Sequence, residues 1–516
     1  MGIGISPFWL VLSGTGIVTF LLARTIYRLY FHPLSHIPGP KLAAATHLYE
    51  FYYDVWRSGR YLFEIEKMHR VYGPIVRITP REIHIIDPSF YDEIYAPSSR
   101  RREKDRAYVP LFSVTKSMIT TINHEHHRFR RNILSNFFSK RSVVELTPMI
   151  HERVQKLIHR LEGFYKAGSV VKVDDAFMAL TADIITYYSY GKLWGFLEDE
   201  NFRSDIRQAS SELSAMVHWN RFFPFLAPLL MNIPVWLIGL VSPGKGRLLE
   251  FQRSILDTTI HSSSDSDSSR GSGKEKEKEG KKSTRTIAHR LGDPALPVEE
   301  RSIARQEEES LIVLAAGTET TGRVLSLAAY YIYQDRAVLD RLRGEVKTVL
   351  PTPTSTCSLS ELEQLPYLSA VISESLRLAT PVIGRSPRVA PDETLTYKNY
   401  TIPPGTPIGS SSLFIHRNET LFPNPTHSIP DRWLQAREQR LDRYLTAFNK
   451  GSRVCLGINL AYAEMYMALA HLVRRVDLEI DSMRPEDMEV KREFFVGYTE
   501  DDEPRVRARV VRILED

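Results

Sequence analysis

The stretch "FNKGSRVCLG", Phe448 to Gly457, stands directly before the apolar run "INLAYAEMYMALAHLV", Ile458 to Val473. It contains Cys455, one of only two cysteines in 516 residues. A cysteine used as a small hydrophobe belongs inside a helix or strand. This one is set at a turn, close to Arg453 and two glycines, where only its sulfur projects. The run that follows is apolar nearly all round, which predicts a buried helix. Cys455 then lies at the buried N-terminal end of that helix, where unpaired N–H groups and the positive dipole end favour a thiolate. Gly451 and Gly457 clear side chains from either flank, so a flat ligand can approach the backbone. Phe448 supplies an apolar wall, and Arg453 a cation for an acid group at the ligand's rim.

A thiolate, a flat surface and a cation together describe the proximal side of a haem. Zinc needs more ligands than this segment holds, and a nucleophilic cysteine needs a neighbouring base. The segment matches Phe-x-x-Gly-x-Arg-x-Cys-x-Gly at every defined position, and by that signature the chain resembles the cytochrome P450 family. Other motifs of the family follow in the expected order over nearly the whole chain. The resemblance implies a mainly α fold with small β-sheets. Haem b is expected to lie buried between a long distal helix and the helix following the cysteine loop, with Cys455 as the axial thiolate on iron. The stretches "YRLYFHPLSHIPGPKL", "YDEIYAP" and "HHRFRRNILSNFFSK" resemble fungal members of the trichodiene-oxygenase type, which act in secondary metabolism.

"AAGTETTG", Ala315 to Gly322, interrupts an apolar helix with two glycines and three threonines. These are poor helix formers, and a Thr hydroxyl competes for backbone carbonyls, so the spacing predicts local unwinding. Splitting dioxygen requires two protons delivered into a dry pocket. Thr320 can hold a water or the dioxygen by its hydroxyl, and Glu319 can link to solvent. These two residues match the family's acid–threonine pair on the helix that crosses the distal haem face.

Haem propionates are two carboxylates and call for several cations. Arg453 is one, and Arg388 of "RSPRVA" matches the family's arginine on the strand after the "ESLR" helix. In "HHRFRRNIL", His127 and Arg131 stand at i and i+4 and match the family's Trp-x-x-x-Arg, with histidine in place of tryptophan. In "ESLR", Glu374 and Arg377 share a helical face. The resemblance makes them part of a buried network supporting the cysteine loop, closed by Arg432 of "PDRW". The family more often has another residue at Asp431 and Phe at Trp433. All three charged residues are structural in this reading.

The 43% hydrophobic and 25% charged content is that of an ordinary globular protein. A net charge of +5 without aromatic-basic motifs excludes nucleic acid as the expected partner. Two cysteines, Cys357 and Cys455, make neither a disulfide framework nor an iron–sulfur site. Ile5 to Ala23 carries no charge and is followed by Arg24 and Arg28. At about 1.5 Å per residue it spans roughly 28 Å, close to a bilayer core. Residues 1–29 are therefore expected to be a single-pass anchor, with residues 30–516 a cytosolic catalytic domain at the endoplasmic reticulum. Low complexity marks a disordered insertion near 262–283. Arg221 to Val241 is apolar but broken by Pro224, Pro228 and Pro234, and reads as loops dipping into the membrane surface.

The function implied is a monooxygenase that uses O2 and two electrons. The chain is too short after Cys455 for a fused flavin domain. Electrons are then expected from NADPH through cytochrome P450 reductase, with cytochrome b5 as a second donor. An isomerase, dehydratase or peroxygenase needing no reductase, or a non-enzymatic haem sensor, is the alternative. The pocket segments "DRAYVPLFSVTKSMITT", "TPVIGRS" and "EFFVGYT" suit an apolar terpenoid, polyketide or alkaloid intermediate.

Overall fold

The computed structural model describes residues 7–226, 229, 233, 236, 246–254, 257, 286–435, 440–481, 483–500 and 506–514. The insertion expected near 262–283 and most of 227–241 lie outside the described residues.

The helices that build the site begin with α1 (Pro7–Ile26) and α2 (His124–Ser135). Asn123 caps α2 by accepting the His126 N–H, one of the donors a helix start leaves unpaired. The long α3 (Lys140–Ala167) is capped by Ser139 and closed by Gly168 at φ 61°. Next come α4 (Val173–Tyr190), buried along almost its whole length, and the short α5 (Val217–Phe222). The apolar pattern around Ala315 becomes one 32-residue helix, α6 (Ile303–Gln334). It packs along α4, α7 (Pro366–Ala379) and α8 (Ile458–Arg475). One large apolar core joins them and includes Leu314, Val324 and Leu325 of α6 as well as Leu460, Ala463 and Leu469 of α8.

The local unwinding expected at "AAGTETTG" is not present: α6 runs unbroken through it. The glycines serve packing instead. A Cβ on Gly317 would stand 2.6 Å from Cγ1 of Ile185, and one on Gly322 2.8 Å from Cγ of Met178, both side chains of α4. The two helices approach so closely that only glycine fits at these positions.

Small sheets frame the helices. Strands β1 (Ile75–Arg77) and β2 (Ile83–Ile85) form an antiparallel pair about Thr79 and Pro80, with Ile75 opposite Ile85. β3 (Glu103–Lys104) pairs antiparallel with β5 (Arg388–Val389), which sets Lys104 opposite Arg388. These join β8 (Pro407–Gly409) in a five-stranded sheet of order β1-β2-β8-β5-β3. β4 (Val170–Lys172), β12 (Arg507–Ile513) and β9 (Val476–Ile480) make a second sheet, and β6 (Leu395–Tyr397) and β7 (Tyr400–Ile402) a hairpin. A last hairpin, β10 (Arg492–Phe494) and β11 (Val496–Tyr498), turns at Phe495, whose φ of 71° is unusual for a bulky residue.

Beside this hairpin a closed ionic knot ties the start of the chain to α5. Arg221 and Arg385 both pair with Glu50, and Arg385 Nε lies 2.7 Å from Glu82. Asp54, His218 and Glu493 are close enough together to share a cation. However, Arg221 and Arg385 already approach one Asp54 oxygen at 3.5 and 3.9 Å, so the knot carries its own positive charge.

Apolar side chains of α1 and its continuation point outward, Phe20 and Phe31 being 62% and 72% exposed. Among the described residues, the helix long and apolar enough by composition to cross a membrane is α6. That helix is held between α4 and α8 in the body of the protein.

Several histidines are locked in neutral form. Burial pushes His69 down to about 4, His416 and His471 to about 3, and His127 to about 2. In the unfolded chain each takes a proton below pH about 6.5, which the folded chain refuses until lower pH. Folding stability should therefore fall as pH drops below about 6.5, by about 1.4 kcal/mol per pH unit for each such group. Urea unfolding from neutral to mildly acid pH reads this directly. Replacing His416 by Gln should remove one proton from the slope, and a stability flat across that window would contradict the assignment.

Candidate active site

The cysteine loop is fastened from below. Gly451 has φ 71°, and a Cβ there would run into the carbonyl oxygens of Tyr95 and Ala96. Ser452 N–H donates to Ala96 O at 3.0 Å, and Cys455 N–H to Phe448 O at 2.9 Å. The Phe448 ring packs on Tyr462 of α8 at 5.3 Å between centroids. A Cβ on Gly457 would meet no atom within 4 Å, so that flank stands open.

The Cys455 side chain is accessible, yet the protein around it is dense enough for burial to push its thiol pKa up. Its surface is thus that of an inner wall. The Gly457 N–H and Arg131 pull the pKa the other way but do not win. The thiolate expected from the helix end alone is therefore not established by it; a coordinating metal ion deprotonates such a thiol outright.

Around the loop stands a cluster of cations. Burial, followed by the charge of Arg388, pushes Arg453 down to about 9. Its guanidinium donates to Thr121 O and Ile122 O, both at 2.7 Å, which ties the loop to the start of α2. Arg388, also buried, donates to Ser386 O at 3.0 Å and lies over the Tyr95 ring at 5.2 Å. Arg131 Nη1 donates to Val454 O at 2.7 Å, next to the sulfur. The low pKa of His127 comes from burial first and then from Arg453, Lys104, Arg131 and Arg388. Lys104 is a member that the motifs did not reveal. Burial, Arg388 and Arg453 hold its amine far below the ordinary lysine range.

Among the described residues none of Lys104, His127, Arg131, Arg388 and Arg453 makes an ion pair with a carboxylate. Gathering unpaired cations in low dielectric costs several kcal/mol per charge. A ligand bearing two carboxylates offsets that cost. Together with the accessible sulfur, the donor set fits haem, with its iron and paired propionates.

On α6 the Thr320 hydroxyl donates to Ala316 O at 2.8 Å. Ala315 and Ala316 are exposed in the middle of this core helix, while Leu314 and Thr321 beside them are buried. The stripe lies on α6, Cys455 stands just before α8, and those two helices pack together. The Thr181 hydroxyl of α4 donates to Thr318 O at 2.8 Å, a cross-helix bond within the threonine run. Glu319 has partners of its own: its Oε1 accepts from the Tyr498 hydroxyl at 2.8 Å and lies 3.2 Å from Arg323 Nη2. The three apolar pocket segments converge. Phe112 meets Phe495 edge to face at 5.0 Å, Val382 bridges Val496, and the N–H groups of Ile383 and Gly384 donate to Phe495 O.

In the buried network, Arg377 donates to both oxygens of Glu374 at 2.9 and 2.8 Å, and Arg432 Nε to Oε1 at 3.1 Å. The Trp433 indole N–H adds a bond to Glu374 Oε2 at 2.8 Å, which phenylalanine could not make. His416, assigned no chemistry, is bonded between Thr380 and the Thr446 N–H.

A mainly helical body that sets one thiol and a cluster of unpaired cations around a cleft has the architecture of a haem-thiolate protein. The family model that matches is described as Cytochrome P450 and covers residues 45–500. Conidiogenone synthase PchP450 of Penicillium rubens is 41% identical over 96% of this chain and 98% of its own length. Cytochrome P450 monooxygenase TRI4 of Trichoderma arundinaceum is 40% identical over 93% and 91%, and monooxygenase astB of Aspergillus terreus 37% over 96% and 95%. The chain belongs to the cytochrome P450 family and is a haem-thiolate monooxygenase of the fungal secondary-metabolism type.

Proposed function

We propose that the protein oxygenates an apolar small molecule, a terpenoid, polyketide or alkaloid intermediate, with O2 and electrons passed from NADPH by cytochrome P450 reductase. Cytochrome b5 serves as a second donor. The observation that carries this reading is an accessible thiol beside three arginines, Lys104 and a neutral His127, none with a carboxylate partner, next to a helix that packs against α6 and its Thr320. Cys455 would hold the haem iron through its sulfur. Arg388, Arg453, Arg131, His127 and Lys104 would receive the propionates, while Phe448, Gly451 and Gly457 would border the ring. Glu374, Arg377 and Arg432 hold the polypeptide under the loop.

Haem, when bound, supplies the one-electron and dioxygen chemistry, and a thiolate ligand favours O–O cleavage. The chain's own part is to exclude water and place protons. Thr320 Oγ1 fixes the water from which a proton leaves, and Glu319 passes protons inward from solvent. One oxygen atom enters the substrate. The other leaves as water with two electrons and two protons. NADPH consumption by the reductase-reconstituted protein tests the reading against terpenoid, polyketide and alkaloid candidates. Stimulation by one of them is expected. Turnover of a substrate without NADPH or reductase would assign an isomerase, dehydratase or peroxygenase instead.

Residues 1–29 form a single-pass anchor in the endoplasmic reticulum, and residues 30–516 a cytosolic catalytic domain. Outward apolar residues of α1 support this, while Trp219, Phe225, Leu229 and Trp236, exposed by 41% to 68%, support a second contact with the membrane surface. Deleting residues 1–28 should weaken membrane association and leave haem bound. Part of the truncated protein should still pellet with membranes, and polar replacements at Phe222, Phe223 and Phe225 should release it. Unchanged pelleting of those variants would assign this segment to the core.

A further inference from the structure

Glu319 does not stand free beside Thr320. The Tyr498 hydroxyl donates to its Oε1 at 2.8 Å, and Arg323, one turn further along α6, lies 3.2 Å from the same oxygen. The Arg323 guanidinium is stacked over the Tyr498 ring at 4.4 Å, and its Nη1 donates to Gly497 O. Its Nε is buried without a hydrogen-bond partner, and its Nη2 meets Glu319 Oε1 as an ion pair but not in hydrogen-bond geometry. A guanidinium so placed is set up for a closer, two-point pair with a carboxylate. Glu319 nevertheless meets it at one oxygen only, the oxygen that Tyr498 holds. Tyr498 is 1% exposed, and burial with the Glu319 charge keeps its phenol far above the ordinary range, so it remains a donor at working pH.

We propose that Tyr498 is a positioning residue for Glu319: its hydroxyl shares Oε1 with Arg323 and keeps the carboxylate from turning into a two-point pair with that cation, which leaves it in place to pass protons toward Thr320. This rests on the reading of Glu319 and Thr320 as a proton relay. It adds a link that the sequence does not show. Tyr498 lies on β11, three residues past Phe495, whose ring meets Phe112 in the pocket. The hairpin that shapes the apolar pocket thereby also sets the acid of the relay.

The test uses the haem-loaded full chain with reductase, NADPH and dioxygen alone, so no substrate need be known. Electrons then leave in hydrogen peroxide, two per dioxygen, or in water, four per dioxygen with four protons. Tyr498→Phe should raise the peroxide-to-water ratio roughly tenfold, the scale of one hydrogen bond to a charged group. Arg323→Gln added to Tyr498→Phe should restore the ratio toward that of the parent, because the competing cation is gone. A merely structural tyrosine would give no such rescue. The second readout needs no turnover. In thermal unfolding, Tyr498→Phe should lower Tm in the parent and far less in a Glu319→Gln background. An unchanged peroxide-to-water ratio, absence of rescue, or additive Tm shifts would each overturn the assignment. If the parent oxidises no NADPH with reductase even in the presence of the terpenoid, polyketide and alkaloid candidates, the monooxygenase reading fails instead, while the thermal cycle still decides the contact.

Discussion

Replacing Cys455 by serine abolishes the thiolate-type band of the reduced, carbon-monoxide-bound protein, or leaves the protein without haem. The argument is chemical before it is structural. A serine hydroxyl is neither soft nor acidic enough to replace a thiolate on iron, and the only other cysteine, Cys357, lies in a separate loop. There its thiol is pushed up to about 11 by burial. The substitution is nearly isosteric at an accessible side chain, so the fold itself should shift by no more than about 0.5 kcal/mol. The loop's own bonds, Cys455 N–H to Phe448 O and Ser452 N–H to Ala96 O, are made by backbone and persist. Thermal unfolding of the haem-free forms should therefore be alike for parent and variant. Survival of the thiolate-type band in Cys455→Ser would remove Cys455 as the ligand.

The second large effect belongs to Thr320→Ala. Haem binding and the carbon monoxide band should survive, since neither depends on the face of α6. Electron delivery should also continue, because the reductase is expected to dock on the cysteine side. What fails is directed protonation on the distal side. General acid–base groups contribute about 100- to 10,000-fold, or roughly 3 to 5 kcal/mol, to their step. Without that advantage peroxide escapes, so NADPH oxidation continues while product falls and hydrogen peroxide rises. Helix stability is not at stake. The Thr320 hydroxyl only doubles up on the Ala316 carbonyl, and alanine is the better helix former. Equal loss of NADPH oxidation and product, without extra peroxide, would contradict the role. Full retention of product yield would leave Thr320 a helix residue.

Much of the site was legible because its signals are local. Cys455, Gly451 and Arg453 stand within five positions, and the meaning of each follows from what it can do at a turn. The Glu374–Arg377 pair lies on one helical turn, and its bonds are those the spacing allows. What escaped depends on chain pairing. Lys104 is one charge among several in "RREKDR", and only the β3–β5 register sets it opposite Arg388. The Tyr498–Glu319 bond joins residues 179 positions apart. Glycines in "AAGTETTG" carry two meanings, loosening a helix or admitting a neighbour, and sequence alone favoured the first. The second holds, because Ile185 and Met178 of α4 occupy the space a Cβ would need. The state of the free Cys455 thiol escaped the sequence for a related reason. A helix end can be read from sequence, but the density of protein around the sulfur cannot, and burial outweighs the N–H donor.

Labelled dioxygen gives the most direct test of the monooxygenase claim. The reductase-reconstituted protein is supplied with NADPH, labelled dioxygen and whichever compound stimulates NADPH consumption. The account predicts one labelled oxygen atom in the product for each oxygenation, with the second atom recovered in water. Product formed without dioxygen, or carrying oxygen from the solvent instead, would contradict it.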